Sequence, residues 1–388
     1  MVLVGTDELF QIYDWARELR ESGPVHPAED GTWKVVRHAE ARKVMMDHKI
    51  FSSDLRPLFG KIGDDDFPLL SQSDPPRHRE LRNMMSAAFT AHKIASLEPQ
   101  IEAVSAELVD SVLERGETDV VADLAMPLPL IVIAELLAIP AERREDFKRW
   151  SNAYISTLGM HGEKPPEIAK ELAELEVYMM GLIAERRPNP SDDLVSVLCH
   201  AELDGKALPD KIVIGFCTAL LVAGYVTTTN LLSNAVLCLN RYPEALQLIR
   251  KQPEILPNFV DEVMRFTSPV QSSVPRLTRV ETTLGDHVIP EKALVFPYIG
   301  ASNRDELVFE KADQFDPTRD PNPHLGFGHG VHFCLGAPLA RMEARIGIGM
   351  MAERLRGEWR VPEDVQLEVE PPPAFLFGPK ALPLKWGE

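Results

Sequence analysis

The longest helical pattern in the chain runs from Pro209 to about Leu239. It is apolar on nearly every side, through Ile212, Phe216, Leu220, Leu221 and Val222. A helix of that kind crosses the interior of a large protein or spans a membrane. Lys211, Asn230 and Asn234 favour the interior. Residues 7–21, 38–47, 97–115, 127–138, 141–157, 166–187 and 191–200 read as further helices, punctuated by Pro127, Pro129 and Pro140. The run from Leu128 to Ile139 is almost wholly apolar and is expected to be buried. Asp74-Pro75-Pro76 opens a helix that reaches about Phe89. Beyond Gly336, residues Leu339, Met342, Ile346 and Met350 recur on one helical face. Pro338 is early enough to be tolerated in the first turn. Strand character is limited to Trp33–Arg37 and to Ser268–Gly300, with turns at Gly285-Asp286 and Pro290-Glu291. Residues 371–386 read as a hairpin. The pattern predicts a mainly α fold with a smaller β region, as one domain over 1–388.

Composition narrows the function. A chain of 388 residues can bury a large core. Its net charge of −18 argues against nucleic acid as a partner. The cysteines are Cys199, Cys217, Cys238 and Cys334, with no C-x-x-C pair, which disfavours a zinc ribbon or a thioredoxin-like site. The first 20 residues carry Asp7, Glu8, Asp14 and Glu18 and no long apolar run. They resemble neither a signal peptide nor a membrane anchor, so a cytoplasmic protein without membrane attachment is expected.

The candidate chemistry centres on Phe327-Gly328-His329-Gly330-Val331-His332-Phe333-Cys334-Leu335-Gly336. A glycine-rich turn places one cysteine at a helix N-terminus, where free N–H groups and partial positive charge favour a thiolate. Such a cysteine suits a metal ligand better than a core position. His78 and Arg82, four apart, share a helical face and suit an anionic partner. Glu262 and Arg265, three apart, can pair.

The pattern F-G-x-G-x-H-x-C-x-G resembles the haem-binding loop of the cytochrome P-450 superfamily, matched at Phe327, Gly328, Gly330, His332, Cys334 and Gly336. The resemblance extends in order from His78 to Gly336. It implies the cytochrome P-450 fold and haem b (iron protoporphyrin IX), with Cys334 as the iron ligand that favours O–O cleavage. By the same resemblance His78, Arg82, Arg276 and His332 bind the propionates. Arg276 is one residue farther from Arg265 than the family's pattern, with Pro275 in the expected place. Ala223-Gly224-Tyr225-Val226-Thr227-Thr228 is similar to the family's oxygen-binding motif. It gives Gly224 the part of letting haem and dioxygen near the backbone, and Thr227 that of the alcohol facing bound oxygen. Val226 stands where the family carries an acid. Glu262, Arg265 and Arg319 match a structural triad. Segments 54–73 and 150–175 and the tip near Phe375–Phe377 would cover the substrate pocket.

The implied reaction inserts one oxygen atom from dioxygen into a small organic substrate. Electrons from NAD(P)H would arrive through a separate ferredoxin or flavodoxin type donor, docking on a basic patch of Arg79, His329, Arg341 and Arg345. A monomer is implied. Two alternatives stay open: a haem-thiolate enzyme using peroxide or other non-monooxygenase chemistry, which Val226 keeps alive, and a non-catalytic haem-binding protein.

Overall fold

The computed structural model describes residues 2–6, 8–59, 70–86, 89–157, 164–203, 205–370 and 375–387. Its principal helices are α1 (Asp14–Ser22), α2 (His38–Met46), α3 (Arg77–Ser86), α4 (Glu98–Asp110), α5 (Pro127–Leu136), α6 (Arg144–Ser156), α7 (Pro166–Arg186), α8 (Asp210–Arg241), α9 (Leu256–Phe266) and α10 (Ala337–Arg354). Five short strands, β1 (Val25–Pro27), β2 (Trp33–Val35), β3 (Phe51–Ser52), β4 (Arg276–Thr278) and β5 (Leu294–Pro297), form a sheet in the order β1-β2-β5-β4-β3. The β2–β5 pair is parallel; β5–β4 and β4–β3 are antiparallel, with Val295 opposite Arg276 and Ser52 opposite Leu277. The mainly α class with a smaller β region is as the hydrophobic pattern predicts.

Helix α8 is the organising element. It is long and apolar enough to cross a membrane, yet it packs among α5, α6, α7, α9 and α10. Val213, Phe216, Leu221, Leu231, Leu232, Val236 and Leu239 are all buried along it. Asn234, fully buried, donates to Thr267 O (2.8 Å) and Phe377 O (3.1 Å), which ties the helix to the C-terminal segment. Its apolar circumference thus serves contact with other helices, as the polar residues within it suggested.

One expected element is different. Among the described residues, 383–387 pair with no strand within 371–386. Pro383–Gly387 pairs instead with Glu358–Arg360 and with Glu117–Asp119. Leu376 bridges to Val270, Phe377 is buried against the Tyr13 ring, and Phe375 is half-exposed. The glycines and the acidic run of 60–66, together with Gly159 and Gly162, lie outside the described residues.

Helix α10 carries one buried acid. Glu343 is 2% exposed, its Oε1 has no hydrogen-bond partner among the described residues, and burial pushes its carboxyl up to about 8 from an ordinary 4.5. It is therefore neutral in the folded protein at pH 7 and ionised once unfolded. The folded value lies above the unfolded one, so stability is lost as pH rises from about 4.5 towards 8. At about 1.4 kcal/mol per tenfold change in proton affinity, the loss amounts to roughly 3–5 kcal/mol at the upper end. Glu343→Gln is expected to flatten this slope. Urea midpoints of the two proteins should diverge between pH 5 and pH 8; curves that stay parallel across that range refute the assignment.

Candidate haem site

The Cys334 loop is shaped by two glycines in the left-handed region, Gly328 (φ 71°) and Gly330 (φ 72°). A Cβ on Gly330 would lie 3.0 Å from Met45 O and 3.1 Å from Met46 Cα, so the loop presses against the end of α2 where no side chain fits. Cys334 N donates to Phe327 O (2.9 Å), closing the turn. Helix α10 begins three residues later with Pro338 in its first turn. The cysteine is exposed at the surface the loop presents. The sequence leads one to expect a thiol of lowered pKa there. In the protein alone the opposite holds: burial pushes the thiol up, and it outweighs the N–H groups of Gly336 and Ala337 and the charges of Arg82 and Arg341. The helix N-terminus supplies donors; a bound metal cation is what deprotonates a coordinating thiol.

Four donors gather around this loop from three separate segments. His78 and Arg82 come from α3, Arg276 from β4, and His332 from the loop itself. The His78 and His332 rings are 4.2 Å apart, centroid to centroid. Arg82 Nη1 donates to Val331 O (3.2 Å). Burial, followed by the charges of Arg276 and His78, holds His332 down at about 3; burial and Arg82 hold His78 at about 4. Burial lowers Arg276 to about 10. The shifted register of Arg276 in the sequence does not remove it from the cluster, since regular pairing with Val295 keeps it buried beside His332.

Among the described residues no carboxylate is hydrogen-bonded to any of the four donors; Asp74 reaches three of them only through its field. His78 Nε2 is buried without a partner. Among the described residues Arg276 donates only to carbonyls of its own segment, Val274 O (2.7 Å) and Pro275 O (3.4 Å), and pairs with no carboxylate. Buried donors and charges left in this way are costly unless something negative joins them. An anionic ligand with a metal centre reaching Cys334 suits these groups.

On α8, Ala223 and Thr227 lie one turn apart. Ala223 is exposed, and Thr227 Oγ1 donates to Ala223 O (2.6 Å). The space that a Gly224 Cβ would need is taken by Ile133 Cδ1, at 2.9 Å. Gly224 thus lets α5 close on α8, a use that the sequence did not suggest. Val226 is half-buried and packs into the core between α5, α6, α7 and α8. Tyr225 is buried, its hydroxyl donating to Asn152 Oδ1 on α6 (3.3 Å).

The model of the cytochrome P450 family matches residues 149–386, more than half of the chain. The chain belongs to the cytochrome P450 family. Among its relatives, cyclomarin C epoxidase CymV of Salinispora arenicola is 40% identical over 352 residues, 88% of each chain. Erythromycin C-12 hydroxylase of Saccharopolyspora erythraea is 39% identical, over 87% of this chain and 85% of that one. The crystal structure of CYP109E1 from Bacillus megaterium in complex with testosterone superposes with a TM-score of 0.86 at 34% identity, over 97% of this chain and 99% of that one. The protein is accordingly a cytochrome P450 monooxygenase, and its cofactor is haem b.

The triad expected beneath the P450 haem loop is assembled. Glu262 and Arg265 are both fully buried and joined by two bonds, Nη2 to Oε1 (2.7 Å) and Nε to Oε2 (2.8 Å). Arg319 Nε donates to Glu262 Oε2 (3.0 Å). The proposed basic patch is less coherent. Arg341 pairs with Asp261 (2.7 Å) and Arg345 with Glu98 (2.5 Å), while His329 Nε2 accepts from Arg42 Nε (3.1 Å). Arg79 and Arg42 are exposed. Ser53, Asp74 and Arg279 also adjoin the cluster. Only Asp74 had a local signal, its place just before a helix-opening Pro-Pro.

Proposed function

We propose that this P450 binds haem b through Cys334 as the iron ligand, with His78, Arg82, Arg276 and His332 on the propionates, and that it oxygenates a small organic substrate. The observation that carries the reading is the convergence of those four donors, none of them bonded to a carboxylate among the described residues, beside an accessible cysteine at a helix N-terminus. Haem, when bound, supplies the electron acceptance and oxygen activation that no side chain here provides. The chain's own part is positioning and proton supply. A separate ferredoxin or flavodoxin type protein would bring electrons from NAD(P)H, approaching near Arg79 and Arg42. The chain would work as a cytoplasmic monomer, and its single domain is supported by α8, which packs against helices from both halves of the sequence.

Proton supply sets this protein apart. Valine cannot donate a proton or order a water, and general acid help is typically worth about 10²–10⁴-fold. The single hydroxyl proton of Thr227 is engaged with Ala223 O. Its oxygen can accept from a water, but the proton must come from that water or from the substrate. This favours, as a second reading, a protein that also turns over with peroxide, which brings its own protons and electrons.

The test is reconstituted turnover with an unrelated reductase system under ¹⁸O₂, on a panel that includes cyclomarin C and testosterone. One labelled oxygen in the product supports the reading; unlabelled product formed only when hydrogen peroxide is added in place of NAD(P)H sinks it in favour of the second. In the same assay Val226→Asp is expected to raise product formed per NAD(P)H severalfold. An unchanged ratio across unrelated substrates removes any mechanistic meaning from the missing acid.

A further inference from the structure

Asp74 is the meeting point of the segments that supply the four donors. Its side chain is 6% exposed. Oδ1 accepts from Ser53 N (3.0 Å), and Oδ2 accepts from Ser52 Oγ and from Arg279 Nη2 (2.6 Å). Its backbone carbonyl accepts from His78 N (2.9 Å) as α3 starts. Ser52 belongs to β3, which lies beside β4, and Arg279 directly follows β4. Ser53, fully buried, carries the contact onward, with its Oγ 2.8 Å from His332 Nε2. A single carboxylate therefore ties together α3, which carries His78 and Arg82, and β4, which carries Arg276. Through Ser53 it also reaches the loop that carries His332 and Cys334.

The charge arrangement matters as much as the bonds. The field of Asp74 reaches His78, Arg276 and His332 alike. A carboxylate so placed could pair with Arg276 and fill the position that a propionate needs. It does not: the half-exposed Arg279 engages it from outside. The acid thus orients the donors while its own charge is spent elsewhere, leaving the inner cations for the cofactor.

We infer that Asp74, held by Arg279, is a positioning residue that builds the propionate site and passes its orientation to His332 through Ser53. This rests on the propionate assignment of the preceding section. The experiment uses the purified haem-loaded protein and Asp74→Asn, Ser53→Ala, Arg279→Gln and Arg276→Ala. Three quantities are measured: the rate of haem transfer to apomyoglobin, the propionate bending bands in the resonance Raman spectrum, and the ferric/ferrous midpoint potential. Asp74→Asn keeps the side-chain shape and removes the charge. It is expected to speed haem transfer roughly 10-fold or more, as losing outer partners of a metal site does. It should also move the propionate bands and the potential. Arg279→Gln should do the same, by freeing Asp74 to turn towards Arg276. Ser53→Ala should shift the bands with a smaller effect on transfer.

Transfer rate, bands and potential all unchanged would overturn the inference, because that pattern belongs to a residue that at most braces the fold. Arg276→Ala separates this from failure of the underlying reading. If it speeds haem loss and Asp74→Asn does not, Asp74 alone is misassigned; if Arg276→Ala does nothing, both assignments fall. Should Asp74→Asn not yield folded protein, Ser53→Ala and Arg279→Gln decide the matter by the same three measurements.

Discussion

Replacing Cys334 with alanine is expected to abolish the strongly red-shifted Soret band of the reduced, CO-bound protein. The band reports thiolate ligation, and Cys334 is the one exposed cysteine among the four. The other three are poor thiolate sources. Cys199, Cys217 and Cys238 are buried, where no external metal centre can reach the sulfur, whereas Cys334 is exposed. Alanine at any of these three should leave the band in place. The fold should survive Cys334→Ala, because the residue is exposed and its removal opens no closed cavity in the core. Haem affinity should fall steeply. Outer partners of metal sites are worth roughly 10–100-fold, and the ligand itself exceeds that. The check is the difference spectrum together with haem content after gel filtration. A persistent band in Cys334→Ala, or its loss in a mutant of Cys199, Cys217 or Cys238, would sink the assignment.

What the chain reveals without coordinates depends on how local each feature is. The apolar circumference of 209–239 identified the central helix because burial on all sides leaves a mark on every turn of the sequence. The Cys334 turn was legible for a similar reason: its glycines are needed within a few residues, at Gly328 and Gly330, where φ is positive. Features made by distant segments left no such mark. Ser53 and His332 are 279 residues apart, and nothing near Ser53 announces the contact. The strand 383–387 was misread as half of a hairpin because its partners, 117–119 and 358–360, lie elsewhere in the chain. The thiol of Cys334 was read from helix-terminal charge alone, whereas burial, a tertiary property, turns out to be the larger effect. Arg341 and Arg345 looked like free cations because Asp261 and Glu98, which neutralise them, are about 80 and 247 residues away. Local spacing thus delivers the Cys334 turn and the helix, and long-range pairing decides which charges remain available.

Glu262→Ala should yield protein that is poorly folded or free of haem. Alone, a Glu and an Arg three apart on an exposed helix would contribute only about 0.3–0.5 kcal/mol. Here both are fully buried, and the carboxylate accepts from Arg265, from Arg319 Nε, from Asp316 N (2.8 Å) and from Asn322 Nδ2 (3.2 Å). Removing it leaves two guanidinium groups inside the protein without their counter-charge, at a cost of roughly 3–5 kcal/mol. That is a large share of the 5–15 kcal/mol or so by which folded proteins are stable. The damage should reach the haem loop by a traceable route. Arg265 Nη1 also holds Asn303 O (3.0 Å) and Ala312 O (2.7 Å), and Asn303 Oδ1 accepts from Leu325 N (2.7 Å) at the entrance to the Cys334 loop. A displaced Arg265 therefore loosens the segment that sets where Cys334 stands. Glu262→Gln, which keeps two of the acceptor positions as one carbonyl oxygen, should fall between parent and alanine mutant in urea midpoint and in haem retained on purification. A Glu262→Ala protein that is folded, fully haem-loaded and changed only in turnover would show that the network acts on the chemistry and not on the loop.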